Sequence, residues 1–187
     1  DMGRWERMKA CFHPDAQVRI SWFQGNAHDF VDASRGMASR GVLAKHRLGP
    51  VSVRVNGTRA VATLALTIDI PSEARGVSLL LSSHARVFYR AELRQGQWRL
   101  SSFEVFYLRD ELFAQVPGEA VPVTAADVAG YRKSYRFMSF VLAQGGFYGW
   151  EPVERFLTSA TGVLTSAEPA TGERLPGITG AGQYLLL

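Results

Sequence analysis

The sequence has little of what cross-links and metal sites require. It contains one cysteine, Cys11, and four histidines among 187 residues. A single thiol excludes an intramolecular disulfide, and no histidine spacing is typical of a zinc site. No strand is followed by a glycine-rich loop that would hold a phosphate-bearing cofactor. We therefore expect no metal and no organic cofactor, a reducing, cytoplasmic location, and Cys11 as a small buried residue.

Long apolar runs and an excess of one charge are also absent. No run of about 18 apolar residues occurs, which excludes a membrane-spanning helix, and no export signal is visible at the start. The 21 basic and 17 acidic residues give a net charge of +4. The arginines are scattered among strands without a nucleic-acid-binding motif. We therefore expect neither nucleic acid nor membrane as a partner.

The first forty residues predict two short helices around a strand. A helical pattern over residues 5–12 ends before Pro14, because proline disfavours helix at the preceding residue. Residues 17–23 alternate in polarity, which is typical of a strand. Asp29 is a suitable N-cap for a second helix that ends near Gly41.

Between residues 51 and 107 the apolar period changes to two. Turn signals, of which Asn56-Gly57 is the strongest, separate the runs 51–55, 60–70, 77–93 and 98–107. Residues 71–76 read as a loop within this series. The pattern predicts a four-strand antiparallel meander. Residues 64–66 and 79–81 are apolar on both faces, which favours a homodimer or homotrimer.

The remainder of the chain differs in composition. Residues 117–122 are typical of a linker, and Thr124 with Asp127 predicts a capped helix over residues 124–142. From Thr158 onward the sequence is rich in Gly, Ser, Thr and Pro, which favours a loosely packed arm. We predict a pocket domain over residues 1–113, with its first helix extending upstream of Asp1. Residues 114–187 would then pack on this domain or on a neighbouring subunit.

Several short motifs resemble the SnoaL-like branch of the nuclear-transport-factor-2-like superfamily. In chain order they are Asp1-Met2-Gly3-Arg4-Trp5, Cys11-Phe12-His13-Pro14-Asp15-Ala16, Lys45-His46, Gly96-Gln97-Trp98-Arg99-Leu100 and Tyr107-Leu108-Arg109-Asp110. The resemblance implies an α+β fold, a cone-shaped α+β barrel whose strongly curved antiparallel sheet packs on the N-terminal helices. The C-terminal helix and arm would be additions to that fold.

The resemblance also implies a catalytic pair. In relatives such as lindane dehydrochlorinase, bile-acid 7α-dehydratase and scytalone dehydratase, an Asp and a His form a dyad in the pocket. The matching positions here are Asp1 and His46. Imidazole is a suitable base near neutral pH, and a carboxylate orients it and stabilises the imidazolium. We therefore predict a cofactor-independent lyase or isomerase, dehydratase-like, for a small apolar cyclic or aromatic substrate.

Other side chains are candidates for the same pocket. Further catalytic candidates are Tyr107 and His84, and candidate substrate-binding residues are Trp22, Phe103 and Glu104. Two of them have a structural alternative: His84 as a residue of the polar or interface side of its strand, and Tyr107 as a core tyrosine with a satisfied hydroxyl. The alternative function is a non-catalytic small-molecule-binding or assembly module, since a fold does not decide function.

Overall fold

The computed structural model describes residues 1–41 and 44–145, most of which lie in one curved sheet. The strands are β1 (Phe12–Ile20), β2 (Phe23–Asn26), β3 (Lys45–Leu48), β4 (Ser52–Asn56), β5 (Arg59–Ala74), β6 (Val77–Arg94) and β7 (Gln97–Ala114). The helices are α1 (Trp5–Ala10), α2 (Ala27–Ser39) and α3 (Arg136–Gln144), with a 3₁₀ turn at Ala126–Val128. None of the helices in the described ranges is long and apolar enough to cross a membrane.

The sheet has the strand order β2-β1-β7-β6-β5-β3, and β4 also pairs with β5. The α+β class is confirmed. Every pair is antiparallel except β1 with β7, which is parallel. The sequence predicted a wholly antiparallel sheet and did not include this parallel pair. In the structure the last strand of the meander lies beside the first strand of the chain. Within the described residues the sheet is open rather than a closed barrel, because β2 and β3 lie at its two edges.

The hairpin turns follow from residues that adopt positive φ. Gly57 opens the β4–β5 turn with φ +56°, so the predicted hairpin is confirmed. Arg75 and Gly76 form the β5–β6 turn with φ of 50° and 80°. Two successive positive φ values match the right-handed twist of flanking strands. This turn is short because residues 71–74, expected to form a loop, continue β5 and pair with β6.

One face of the sheet carries the core. Buried residues at alternating positions share this face, because successive side chains of a strand point to opposite sides. They are Leu64, Leu66 and Ile68 of β5, Leu79, Leu81, Ala85 and Val87 of β6, and Val105 and Tyr107 of β7. We call this side the inner face and the opposite side the outer face. Helix α2 contributes the buried Phe30 and Val31 to the same core.

The N-terminal elements differ from expectation by a few residues. Helix α1 ends at Ala10 and β1 begins at Phe12. Cys11 is therefore exposed rather than buried, and its thiol donates to the carbonyl oxygen of Arg7. The N-cap of α2 is Asn26 instead of Asp29, since Asn26 Oδ1 accepts from the backbone N–H of His28 at 2.8 Å.

The helix expected over residues 124–142 is divided in two. Its capping contacts are present, because Asp127 Oδ2 accepts from both the backbone N–H and the hydroxyl of Thr124. Only a 3₁₀ turn follows, and α3 begins later, at Arg136. Gly130, a poor helix former, lies between the two segments. The arm predicted from Thr158 onward lies outside the described residues.

Candidate active site

His46 and Asp1 are in direct contact at the β3 edge of the sheet. His46 pairs with Ile68 of β5, so its side chain projects from the inner face. Asp1 precedes α1 and uses both carboxylate oxygens. Its Oδ1 lies 2.7 Å from Nδ1 of the imidazole, and its Oδ2 accepts from the backbone N–H of His46 at 2.8 Å. The two contacts fix the carboxylate against both the ring and the backbone of His46.

The contact with Asp1 selects one tautomer of His46. An ionised carboxylate can only accept, so Nδ1 holds the hydrogen and Nε2 holds the lone pair. Partial burial lowers the pKa of His46 below its ordinary value of 6.5, because it disfavours the charged imidazolium. The His46 side chain remains 43% exposed, so a solute can approach it. A neutral imidazole with an accessible Nε2 is able to accept a proton near pH 7.

Helix α1, which follows Asp1, is tied to α2 by two ion pairs. Lys9 Nζ lies 2.7 Å from the Asp32 carboxylate, and Arg35 contacts Glu6. Their effect is to orient α1 on α2, and with it the segment that presents Asp1.

The inner face continues from His46 as a row of paired residues across the sheet. His46 pairs with Ile68, Ile68 with Ser83, and Ser83 with Asp110. Paired residues of neighbouring strands project from the same face. We call these four residues the His46 row. It joins the dyad at one edge of the sheet to β7 and α3 on the other side.

His84 lies on the outer face, away from the dyad. It follows Ser83 directly in β6, and a step of one residue reverses the direction of a side chain. Its Nδ1 is 3.2 Å from Thr67 Oγ1, and its Nε2 is 3.8 Å from the Glu111 carboxylate. The structure therefore does not bring this candidate to His46.

Glu104 is also on the outer face, where it pairs with Phe88 of β6. Its Oε1 lies 3.4 Å from Nη1 of Arg90. Burial raises the pKa of Glu104, because it penalises the ionised carboxylate more than the nearby arginines favour it. The structure therefore does not bring this substrate-binding candidate to His46, because the sheet separates the two side chains.

Trp22 and Phe103 belong to an aromatic cluster on the inner face. Ring centroids are 5.5 Å apart for Trp22 and Phe30, 5.8 Å for Phe30 and Phe103, and 5.0 Å for Phe103 and Tyr89. Tyr89 is separated from the His46 row by about 20 Å of extended strand along β6. The cluster therefore packs α2 onto the sheet, and its Tyr89–Phe103 end lies at a distance from the His46 row.

Tyr107 lies next to the His46 row on the inner face. Its hydroxyl donates to Ser21 Oγ at 2.9 Å and accepts from the backbone N–H of Ser21 at 3.3 Å. Its ring packs edge-on against Tyr135, with centroids 6.3 Å apart. Burial raises the pKa of Tyr107, which therefore keeps its proton near neutral pH. The hydroxyl is thus engaged with Ser21 in this structure.

Sequence reasoning missed two polar members of the His46 row. Ser83 is fully buried and Asp110 is 9% exposed. Ser83 could have been noticed, because it lies in phase with Leu81 and Ala85 on an otherwise apolar face. Asp110 is part of the motif that ends the sheet, but its position on this face could not be predicted, because an irregularity in the β6–β7 pairing at Leu108 shifts the phase of β7. Among the described residues, no cluster of three or more His, Cys, Asp or Glu could hold a metal ion.

The curved α+β sheet with its helices, and the Asp1–His46 contact at its edge, give the protein the α+β architecture expected of the SnoaL-like class. Within that class the chain belongs to the SnoaL-like domain family, which it matches over residues 1–104. The family inferred from the short motifs is therefore confirmed.

Individual relatives are distant. The chain is 27% identical to pea pathogenicity protein 2 of Fusarium vanettenii. The match covers 75% of this chain and 61% of that protein. Among solved structures, a hexachlorocyclohexane dehydrochlorinase (LinA, type 2) is similar with a TM-score of 0.52 and 11% identity, over 66% of this chain and 84% of the other. The Kfla4162 protein of Kribbella flavida has a TM-score of 0.50 and 15% identity, over 59% of this chain and 82% of the other. The chain spans about three-fifths of the curated relatives it matches.

Proposed function

We propose that the protein is a cofactor-independent lyase or isomerase that removes a proton from a small, largely apolar cyclic or aromatic substrate. His46 acts as the base and Asp1 orients it. The observation that supports this proposal is the two-point contact of the Asp1 carboxylate with the ring and backbone of His46. This contact fixes the tautomer in which Nε2 has the lone pair. The ring projects from the inner face of the sheet, which also holds the apolar core.

The proposed reaction begins with proton transfer from carbon to His46 Nε2. The broken C–H bond is adjacent to a carbonyl or an activated ring, so its electron pair moves onto that oxygen or ring. Asp1 stabilises the imidazolium that forms. In an elimination the electron pair returns to expel a hydroxyl from the next carbon, and His46 gives its proton to form water. In an isomerisation His46 returns the proton to a different carbon.

The family supports this proposal at the level of fold. One fold relative is named a hexachlorocyclohexane dehydrochlorinase, but at 11% identity the likeness extends to the fold alone. The activity of the whole protein is therefore proposed from the Asp1–His46 geometry. A cytoplasmic location is part of the proposal, and the free, exposed thiol of Cys11 suits a reducing compartment.

Proton exchange provides a test that does not require the natural substrate. The protein is incubated with 2-tetralone in D₂O, and loss of the α-proton signals is followed by NMR. We expect exchange faster than in protein-free buffer, because a general base that removes a proton next to a carbonyl also catalyses its exchange. No acceleration, despite binding of the ketone, would favour the non-catalytic module instead.

We also propose that the protein is a homodimer or homotrimer. Apolar side chains are exposed on β4 and beside it, and contiguous exposed apolar surface is typical of interfaces. They are Leu48, Val51, Val53 and Val55. Light scattering at micromolar concentration should give two or three times the monomer mass, and Val53→Lys with Val55→Lys should lower it. A monodisperse monomer would contradict the assembly.

A further inference from the structure

Strand β3, which carries His46, is held to the sheet with little burial of its side chains. It is a four-residue strand at an edge of the sheet, and all four of its residues are exposed. The register of a strand is strongly specified where one face is buried, and a slip by one residue turns every side chain to the other face. The apolar pattern of β3 therefore does not by itself keep His46 on the inner face.

A side-chain contact on the outer face provides a further constraint on β3. Arg47 follows His46 directly, so its side chain projects from the opposite face. Its Nε lies 2.9 Å from Asp69 Oδ2, and its Nη2 donates to Asp69 Oδ1 at 3.0 Å. Two parallel hydrogen bonds between a guanidinium and a carboxylate fix direction as well as distance. A slip of β3 by one residue would turn Arg47 to the inner face and break both bonds.

Asp69 is itself fixed from within the sheet. It lies on β5, and its Oδ1 accepts from Ser82 Oγ of β6 at 2.7 Å. Ser82 is buried, and β5 pairs with β6 along its whole length. We call Arg47, Asp69 and Ser82 the β3 clamp, because together they connect the edge strand to β5 and β6.

His46 is thereby held from both faces of β3. On the inner face the Asp1 carboxylate contacts its ring and its backbone N–H. Asp1 precedes α1 and is not part of the sheet, so it orients the ring only where β3 brings His46 to it. On the outer face the clamp holds the next residue along the strand.

We propose that Arg47 and Asp69 are positioning residues, whose contact on the outer face keeps β3 in the register that places His46 against Asp1 on the inner face. This inference rests on the proposed function of the Asp1–His46 pair. Neither Arg47 nor Asp69 touches the reacting atoms, and no proton passes through them. Their contact acts on proton removal through the position of the imidazole alone.

The tautomer of His46 reports its position without any substrate. A solvated neutral imidazole favours the hydrogen on Nε2, whereas the contact with Asp1 holds it on Nδ1. The two forms differ in the NMR chemical shifts of the ring nitrogens, and the His46 signals are identified by their absence from His46→Gln. Near neutral pH we expect the Nδ1–H form in the wild-type protein and its loss in Arg47→Gln. Exchange of 2-tetralone should slow by about 10- to 100-fold, the effect of a small displacement of a reacting group.

Lys45→Gln is the matched control. Lys45 flanks His46 on its other side and projects from the outer face, but it is not part of the clamp. Its replacement removes the same charge at the same distance along the chain from His46. It therefore separates the clamp from a general effect of charge on the imidazole. The tautomer and the exchange rate should both be unchanged.

A second variant removes the other end of the clamp. Asp69→Asn loses the carboxylate and should give the same changes as Arg47→Gln. The double variant should resemble either single variant, because the two residues act as a unit. Arg47 lies largely in solvent, and the thermal midpoint should move little, since exposed ion pairs contribute little to global stability. Thermal unfolding confirms that each variant is folded.

The outcomes distinguish the clamp from the proposed base. If Arg47→Gln keeps the Nδ1–H tautomer and the wild-type exchange rate, the clamp is wrong, and a His46-dependent exchange would still leave the base standing. Losses that multiply in the double variant, or an equal loss in Lys45→Gln, would also contradict the clamp. A wild-type His46 with its hydrogen on Nε2 would overturn the Asp1 contact and the clamp together. A tautomer that depends on Arg47 in a protein without exchange would leave the clamp standing and refute the base.

Discussion

Replacing His46 with Gln is expected to slow exchange of 2-tetralone by about 10²- to 10⁴-fold, the range typical of a lost general base. Glutamine keeps a polar side chain of similar size but cannot accept a proton near neutral pH. The His46 side chain is 43% exposed and packs little of the core, so folding should be unaffected. NMR exchange rates and thermal unfolding of the two proteins measure both effects.

His84→Gln is the matched control, because it makes the same substitution on the outer face. His84 contacts Thr67 and lies near Glu111, and the sheet separates it from Asp1. Its replacement should change the exchange rate by less than about two-fold, against the 10²-fold or more expected for a lost base. If His84→Gln abolished exchange and His46→Gln did not, the base would lie on the outer face and the proposed dyad would be wrong.

The pH dependence should follow the titration of His46. The base is active when neutral, so the exchange rate should fall as pH decreases through the pKa of His46 and protonates it. Burial places that pKa below its ordinary value of 6.5, so the midpoint of the fall in exchange rate should lie below pH 6.5. A rate that still rises steeply above pH 7 would indicate a different base.

Local patterns predicted most of the fold. Period-two polarity and the Asn56-Gly57 turn were enough for the meander, because strand alternation and turn geometry are properties of a few adjacent residues. The parallel pairing of β1 with β7 was not accessible in this way. It joins residues such as Val18 and Phe103, which are distant in sequence and meet only when the whole sheet has formed.

In the candidate site, too, local patterns predicted some features, and others depended on contacts between distant parts of the chain. Asp1 and His46 could be named together only through the family resemblance, since nothing local connects the start of the chain with β3. The alternation of β6 had already placed His84 out of phase with Leu81 and Ala85, and the structure assigns it accordingly to the outer face. The phase of β7 beyond Tyr107 could not be read, because the irregularity at Leu108 reverses it.

Distance along a strand also limits what composition can predict. Trp22 and Phe103 are aromatic and lie on the inner face or against it, which made them reasonable substrate-binding candidates. Their cluster is centred on Phe30 of α2, and its Tyr89–Phe103 end lies far along the strands from the His46 row. Aromatic residues on an inner face fill the core as readily as they line a site, and only the register across strands separates the two roles.

Replacing Asp1 with Asn is expected to slow exchange within the same range of about 10²- to 10⁴-fold, because the amide cannot stabilise the imidazolium. Loss of the carboxylate should also lower the pKa of His46, so the acidic fall in rate should move to lower pH. Asp15→Asn is the control. It removes the ion pair of Asp15 with Arg94 and leaves the carboxylate at His46 in place, so the exchange rate should be unchanged.

The double variant of Asp1 and His46 decides whether the two residues act as a unit. Asp1 supports proton transfer only through the imidazole, so once His46 is replaced by Gln its carboxylate has nothing to orient. The double variant should therefore be about as slow as His46→Gln alone, with a loss far smaller than the product of the two single losses. Exchange rates of the four proteins at one pH complete the cycle. Losses that multiply would mean that Asp1 acts independently of His46, and the dyad would have to be abandoned.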